Sequence, residues 1–204
     1  REARPGVYLS VLHDCGALAV LIPELERLYG TPQRAEFHPE VDAGIHQELV
    51  SDMAAQLAPG DRIVGWAALL HDLGKGITPA HVLPAHIGHE HAGVPLVEAV
   101  CTRFKVPAEH AALARLACRF HLDVHRGAEL RPETLLALFE AIDGFRKPDR
   151  LPRLLAVCEA DKRGRLGSAQ ADYPQARYLG EAFAAARAVT AQPFVAQGLG
   201  GEAI

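Results

Sequence analysis

Eleven histidines stand among 204 residues, and several lie next to acids. The string His71-Asp72-Leu73-Gly74-Lys75-Gly76 is followed by Gly88-His89-Glu90-His91-Ala92-Gly93, then Phe120-His121, then Glu159-Ala160-Asp161-Lys162-Arg163-Gly164-Arg165. Imidazole nitrogens and carboxylate oxygens are the donors of a mixed cation site, one that accepts Mn, Fe, Co, Ni, Zn or Mg with geometry and supply deciding among them. Each candidate also sits where packing would prefer an apolar group. His71-Asp72 closes a run that is apolar on nearly every side (Ile63, Val64, Trp66, Ala67, Leu69, Leu70), and Asp161 comes late in another (Leu154, Leu155, Val157, Cys158). His46 lies beside the stripe Ile45, Leu49, Met53 and Leu57. A buried carboxylate is costly unless something compensates it. A divalent ion held by His46, His71, Asp72 and Asp161 would compensate both acids, and with positions left open it would bring a bound water toward neutral pKa. A His-Asp pair alone is better explained by capping or a buried hydrogen bond; the extended string is what carries weight.

The elements that must position these groups read as helices. Pro and Gly fall between segments with apolar residues at three- and four-residue spacing. Val7 to Ile22 reads as one segment stopped near Pro23, and Tyr29 to Val41 as a loop. Asp42 caps a helix that Pro59-Gly60 ends, and Asp61 caps the apolar helix after it. Gly74 is expected just past that helix, where a left-handed residue is wanted. After a Gly- and Pro-rich loop from Lys75 to His86, the spacing predicts helices at about His89–Phe104, Ala108–Phe120, Pro132–Ile142, Asp149–Gly164 and Pro174–Val189. Pro132 suits a first helical turn. With no strand alternation, the expected class is all-α: a helical bundle over residues 42–204 with a peripheral N-terminal helical segment and loop at 1–41.

Composition excludes several classes. Hydrophobic content of 49% and charged content of 23% are those of an ordinary globular chain. No apolar run approaches the ~20 residues of a membrane span, and the first residues lack the apolar core of a secretory signal. Cys15, Cys101, Cys118 and Cys158 are scattered without a C-x-x-C pair, which argues against a zinc ribbon or a disulfide framework and fits apolar packing in a reducing cytoplasm. Lacking an initiator Met, the chain reads as a piece of something longer. The net charge is −4, but residues 146 to 177 carry eight basic groups against four acids, so this stretch is +4 and the remainder −8. Such a stretch is either a face for polyanions or a solvated helix surface.

The ordered set His46, His71-Asp72, Asp161 resembles the signature of the HD superfamily of metal phosphohydrolases. Further stretches resemble the HD domain of the bacterial CCA-adding tRNA nucleotidyltransferases: Cys15-Gly16-Ala17-Leu18, His38-Pro39-Glu40-Val41-Asp42, Leu70 to Pro79, Ile142-Asp143-Gly144-Phe145-Arg146-Lys147-Pro148 and Ala171-Asp172-Tyr173-Pro174-Gln175. The likeness runs from about Arg4 to Gly201. It implies a 2′,3′-cyclic phosphodiesterase, 2′-nucleotidase and phosphatase supported by divalent metals (Ni²⁺, Mg²⁺, Mn²⁺ or Co²⁺), acting on tRNA 3′ ends or 2′,3′-cyclic nucleotides in the cytoplasm, with oligomers possible. The nucleotidyltransferase head of that family, with its paired catalytic aspartates, has no counterpart in these residues, nor has its basic C-terminal tail. CCA addition is therefore expected of a longer parent chain only.

Under this resemblance Asp72, His71 and Lys75 are the expected catalytic residues: Asp72 as bridging ligand or base, His71 as ligand, Lys75 as a point charge for phosphate. His89 and His121 would hold a second ion or donate to phosphate, with surface or capping roles the plain alternative. His86, His91 and His125 rank lower. Arg163 and Arg165 flank Asp161 and are expected to contact phosphate or RNA. His13, Asp14, His38 and Asp42 read as structural. Two rival readings stay open: a non-catalytic tRNA-binding body, and an HD hydrolase of free nucleotides.

Overall fold

Gly16, at φ 73°, breaks the first apolar segment into pieces. The structure, a computed structural model, describes residues 3–196 together with Gly198 and Gly200. Helix α1 (Pro5–Asp14) ends at Cys15, α2 (Ala17–Leu21) follows the left-handed Gly16, and Pro23 opens α3 (Pro23–Glu26). The spacing from Val7 to Ile22 predicts one helix instead, because apolar periodicity persists across the break and does not register the reversal.

Asp42 caps α4 (Ala43–Leu57) by accepting from the Gly44 and Ile45 amides, and Asp61 caps α5 (Arg62–Leu70) by accepting from those of Ile63 and Val64. A 3-10 turn, Leu73–Ile77, comes next. Then follow α6 (His89–Arg103), α7 (Ala108–His125), α8 (Pro132–Ala141), α9 (Arg150–Gly164), α10 (Pro174–Ala188) and α11 (Gln192–Ala196). The fold is all-α. Among the described residues the only β pairing is an isolated bridge between Pro32 and Asp42, and no described helix is long and apolar enough to cross a membrane.

Helix α5 is the hub. It packs against α4, α7 and α9, and its Val64, Ala67, Ala68 and Leu70 are buried. Helix α6 lies against α7 and the 3-10 turn, α1 against α4, and α10 against α9. Cys101, Cys118 and Cys158 are buried and Cys15 is exposed, all four as free thiols.

Two local departures from expectation bear on the site. Of the expected stripe on α4, Ile45, Leu49, Met53 and Leu57, Met53 is buried, Leu49 and Leu57 are half-buried and Ile45 is exposed. The helix instead turns His46, Gln47, Val50, Ser51, Met53 and Ala54 inward. This inward polar face is partly satisfied by Gln47 Nε2 donating to the Ala68 carbonyl at 2.8 Å and by the Ser51 hydroxyl donating to the Gln47 carbonyl at 2.8 Å. The rotation is locked by close approach to α9: a Cβ on Gly164 would lie 2.8 Å from Val50 Cα. Gly74, expected at a left-handed position, lies instead inside the 3-10 turn, and its lack of a side chain serves contact. A Cβ there would run into the His89 carbonyl oxygen.

Candidate metal centre

The chain passes from α5 into the 3-10 turn at His71 and Asp72, with Asp72 at φ −109°, ψ 12°. This tightening projects two adjacent side chains toward one point, where α4 brings His46 and α9 brings Asp161. Helix α6, seated against Gly74, adds His89. Helix α7 does not stop at Phe120 but runs on to His125, because Leu122 and Val124 continue its apolar spacing; the extra turn carries His121 and His125 on one side. His46, His71, Asp72, His89, His121 and Asp161 are all buried, at 7% exposure or less.

Each imidazole is held from behind. His71 Nδ1 donates to the Ala68 carbonyl at 2.8 Å, His89 Nδ1 to that of His86 at 2.7 Å, and His121 Nδ1 to those of Ala117 and Cys118 at 3.0 Å. Carbonyls only accept, so these Nδ1 atoms carry the hydrogens and every Nε2 presents its lone pair inward. His46 Nδ1 pairs with Glu40 Oε1 at 2.7 Å, leaving its Nε2 inward as well. Outward anchoring of one ring nitrogen is how proteins orient ligating histidines.

Asp72 stands between two groups of donors. Its Oδ2 lies 3.3 Å from His71 Nε2 and 4.0 Å from His46 Nε2; its Oδ1 lies 3.2 Å from His89 Nε2 and 3.7 Å from His121 Nε2. Asp161 Oδ1 is 3.1 Å from His46 Nε2. The atoms of His46, His71 and Asp161 lie within 4.8 Å of one another, as do those of Asp72, His89 and His121. Ligands about 2.1 Å from a common ion lie at most about 4.2 Å apart, so shifts of a few tenths of an ångström close either group.

The donor chemistry fits a cation. His71 Nε2 and Asp72 Oδ1 are buried without a hydrogen-bond partner, and the one close cation beside Asp72 Oδ2 is the Lys75 ammonium. His89 Nε2 and His121 Nε2 sit 3.1 Å apart, and with both Nδ1 atoms protonated the neutral rings turn two lone pairs on each other. A shared positive charge removes that repulsion.

Electrostatics point the same way. Burial would raise Asp72, but His71, Lys75 and hydrogen bonding outweigh it and hold the carboxyl well below its usual range. Asp161 is likewise held low against its burial by His125, His46 and Arg165. Burial pushes His121 down to about 3, a neutral nitrogen donor. His71 alone runs the other way, rising despite burial because Asp72 and Asp161 face it; a cation bound to its Nε2 would take the place of that proton.

Lys75 is more deeply engaged than expected. Its ammonium is buried, 2.6 Å from Asp72 Oδ2 and 2.6 Å from Gln33 Oε1, so part of the compensation attributed to a metal comes from a neighbour three residues on. Arg165 lines the cleft above the site, 3.7 Å from Asp161 Oδ1. Arg163 does not line it: its guanidinium is bonded to Glu159 Oε1 at 2.7 Å and to the Ala169 carbonyl at 2.8 Å. Helical spacing accounts for this: Arg165, four residues beyond Asp161, shares its face, whereas Arg163, two residues beyond, points to another side.

Three further contributors complete the site. His125, a lower-ranked candidate in the sequence, donates from Nε2 to Asp161 Oδ2 at 2.6 Å, and the full length of α7 is what brings it there. Glu40 takes His46 on one oxygen and the Leu166 amide at 3.1 Å on the other. His38, read as a loop residue, also bonds Glu40, at 3.1 Å. A cleft of about 800 Å³ opens over the centre, lined at its base by Lys75, His89, His121, His125 and Asp161.

Comparison with known proteins adds a family. The HD domain profile matches residues 44–166. The chain is 56% identical over 203 residues to the multifunctional CCA protein of Xanthomonas campestris pv. campestris (strain B100), covering 100% of this chain and 50% of that protein. It is 56% identical over 201 residues to that of Stenotrophomonas maltophilia (strain K279a), 98% of this chain and 50% of the relative. With that of Alkalilimnicola ehrlichii the identity is 53% over 203 residues, 100% and 49% of the two chains. The chain thus spans about half the length of the curated relatives it matches. No solved structure matches it.

Proposed function

The chain belongs to the HD-domain family, and on that footing we propose that it is a metal-dependent phosphohydrolase, a 2′,3′-cyclic phosphodiesterase with 2′-nucleotidase and phosphatase activity, acting on RNA 3′ ends such as that of tRNA. The supporting observation is the convergence of four histidine Nε2 atoms on Asp72, whose Oδ1 faces His89 and His121 and whose Oδ2 faces His71 and His46 beside the Lys75 ammonium. His46, His71, Asp72 and Asp161 would hold the principal ion; His89, His121 and the second oxygen of Asp72 would hold another ion or meet the phosphate. When bound, a divalent ion (Ni²⁺, Mg²⁺, Mn²⁺ or Co²⁺) supplies a water of lowered pKa and polarises the P–O bond.

The protein's own groups do the rest. A carboxyl held as low as Asp72 is a poor proton acceptor near pH 7, which favours bridging over general base in its work. Lys75 offsets the negative charge of Asp72 where phosphate would add more. Lys162 and Arg165, on the cleft wall, draw the phosphate in and position it without reading bases. The kinship with multifunctional CCA proteins supports a place beside a nucleotidyltransferase head in a longer polypeptide, in the cytoplasm, with residues 1–41 as an appendage to the domain.

The test is metal analysis of purified protein followed by assay. Protein stripped with chelator and reloaded with Ni²⁺, Co²⁺, Mn²⁺ or Mg²⁺ should open adenosine 2′,3′-cyclic phosphate, and Asp72→Ala should abolish the activity. Equal turnover by wild type and Asp72→Ala would mean a contaminant and defeat the assignment. Tight tRNA binding without metal or turnover would favour the non-catalytic body instead.

A further inference from the structure

Two large apolar side chains stand in the open at the mouth of the cleft. Ile87 is 84% exposed and Phe37 57%, and both line the cavity that ends on His89 and Asp161. Phe37 belongs to the loop between α3 and α4, and Ile87 to the turn that leads into α6.

These two rims are tied together. His86 is buried and donates from Nε2 to the Pro32 carbonyl at 2.9 Å, while its Nδ1 meets Thr78 Oγ1 at 2.8 Å. Its backbone has φ 51°, a left-handed conformation that is strained for a non-glycine residue and persists only when its surroundings enforce it. The strained residue faces inward and hands the chain to Ile87, which faces out. A rigid turn is thus spent on presenting an apolar side chain to solvent beside a polar site.

The cleft between the rims is cationic: Arg34, Arg126, Lys162 and Arg165 line it. Gln33 adds a directional donor. Its Oε1 is taken by Lys75, which leaves its buried Nε2 without a partner. An apolar platform, basic walls, an amide donor and a metal-ligating floor match the parts of a nucleotide in order: base, phosphate charge, sugar hydroxyl, reacting ester. The volume of about 800 Å³ admits a ligand of that size.

We propose that Phe37 and Ile87 form a nucleobase-stacking subsite, seating the terminal nucleotide whose phosphate lies over the metal centre. This rests on the phosphohydrolase reading and narrows its substrates to esters bearing a base. Because stacking uses the face that all bases share, the subsite tolerates any base.

Equilibrium binding tests it separately from catalysis. The full chain, loaded with Ni²⁺, is titrated calorimetrically with adenosine 3′-monophosphate and with inorganic phosphate. Wild type should bind the nucleotide at least about tenfold more tightly than phosphate. Phe37→Ala should weaken the nucleotide by about 5- to 150-fold, the worth of stacking one base, and leave phosphate unchanged within about twofold; Phe37→Tyr should restore it. Equal binding of the two ligands to wild type, an equal loss of both in Phe37→Ala, or no loss of either would overturn the subsite. Turnover of adenosine 2′,3′-cyclic phosphate, measured alongside, decides the hydrolase reading independently: nucleotide binding that depends on Phe37 without turnover keeps the subsite and removes the reading.

Discussion

The Tyr173 hydroxyl lies 3.0 Å from His125 Nδ1, and His125 Nε2 lies 2.6 Å from Asp161 Oδ2. The hydroxyl donates to Nδ1, which fixes the tautomer that donates to Asp161 and leaves Asp161 Oδ1 for the centre. Tyr173→Phe and His125→Ala should therefore weaken divalent-metal affinity by about 10- to 100-fold, the usual effect of removing a group that orients a ligand. Calorimetric titration of chelator-treated protein measures this; unchanged affinity in both variants would detach the relay from the ion.

Lys75→Ala leaves Asp72 buried beside fewer positive charges. Breaking one partner of a buried pair costs about 3–5 kcal/mol, so the metal-free variant should lose that much in urea unfolding. Saturating Ni²⁺ should recover a large part of the loss. Equal losses with and without the ion would mean that Lys75 and the cation do not share the work of neutralising Asp72.

Gly74→Ala would drive a methyl into the His89 carbonyl, a backbone group that cannot swing aside as a flexible side chain would. We expect a destabilisation of about 3 kcal/mol or more and, because α6 must retreat with His89, a weaker second donor group. Thermal unfolding with metal titration checks both.

Arg165 and Arg163 should separate. Arg165→Ala removes a cation from the cleft wall and should reduce the slope of log K against log salt for a tRNA 3′-end oligonucleotide by about 0.7, one single-stranded phosphate contact. Arg163→Ala, whose guanidinium serves Glu159 and Ala169, should leave the slope unchanged.

His38 supplies a pH signature. Burial lowers it from 6.5 to about 4. The unfolded chain therefore binds the proton more readily, and the stability His38 contributes is complete above pH 6.5 and is lost as pH falls through that window toward 4. The slope is at most about 1.4 kcal/mol per pH unit. In metal-free protein, His38→Gln should flatten the pH dependence between 6.5 and 4 by up to that amount; an identical profile would place the titration elsewhere.

How much of this was legible beforehand follows from what a linear pattern encodes. The caps at Asp42 and Asp61, the buried helix ending in His71-Asp72, and the all-α class all derive from local rules. The inward face of α4 does not. Ile45, Leu49, Met53 and Leu57 look like its core stripe, yet of these only Met53 is buried, and the helix is rotated to bury His46 and Gln47 because Gly164 admits Val50. That contact joins residues over a hundred positions apart, and no periodicity contains it. His125 ranks low for a related reason: the spacing predicts an end near Phe120, although Leu122 and Val124 carry the helix one turn further.

The donors at the centre are drawn from α4, the end of α5, α6, α7 and α9, and His46 and Asp161 are separated by 115 positions. No fragment of the chain owns the pocket, so occupancy and global folding form a single coupled equilibrium. An ion present at 100 times its dissociation constant would deepen the native basin by about 2.7 kcal/mol, and scarcity of that ion would be felt as fragility of the whole bundle before it was felt as lost turnover.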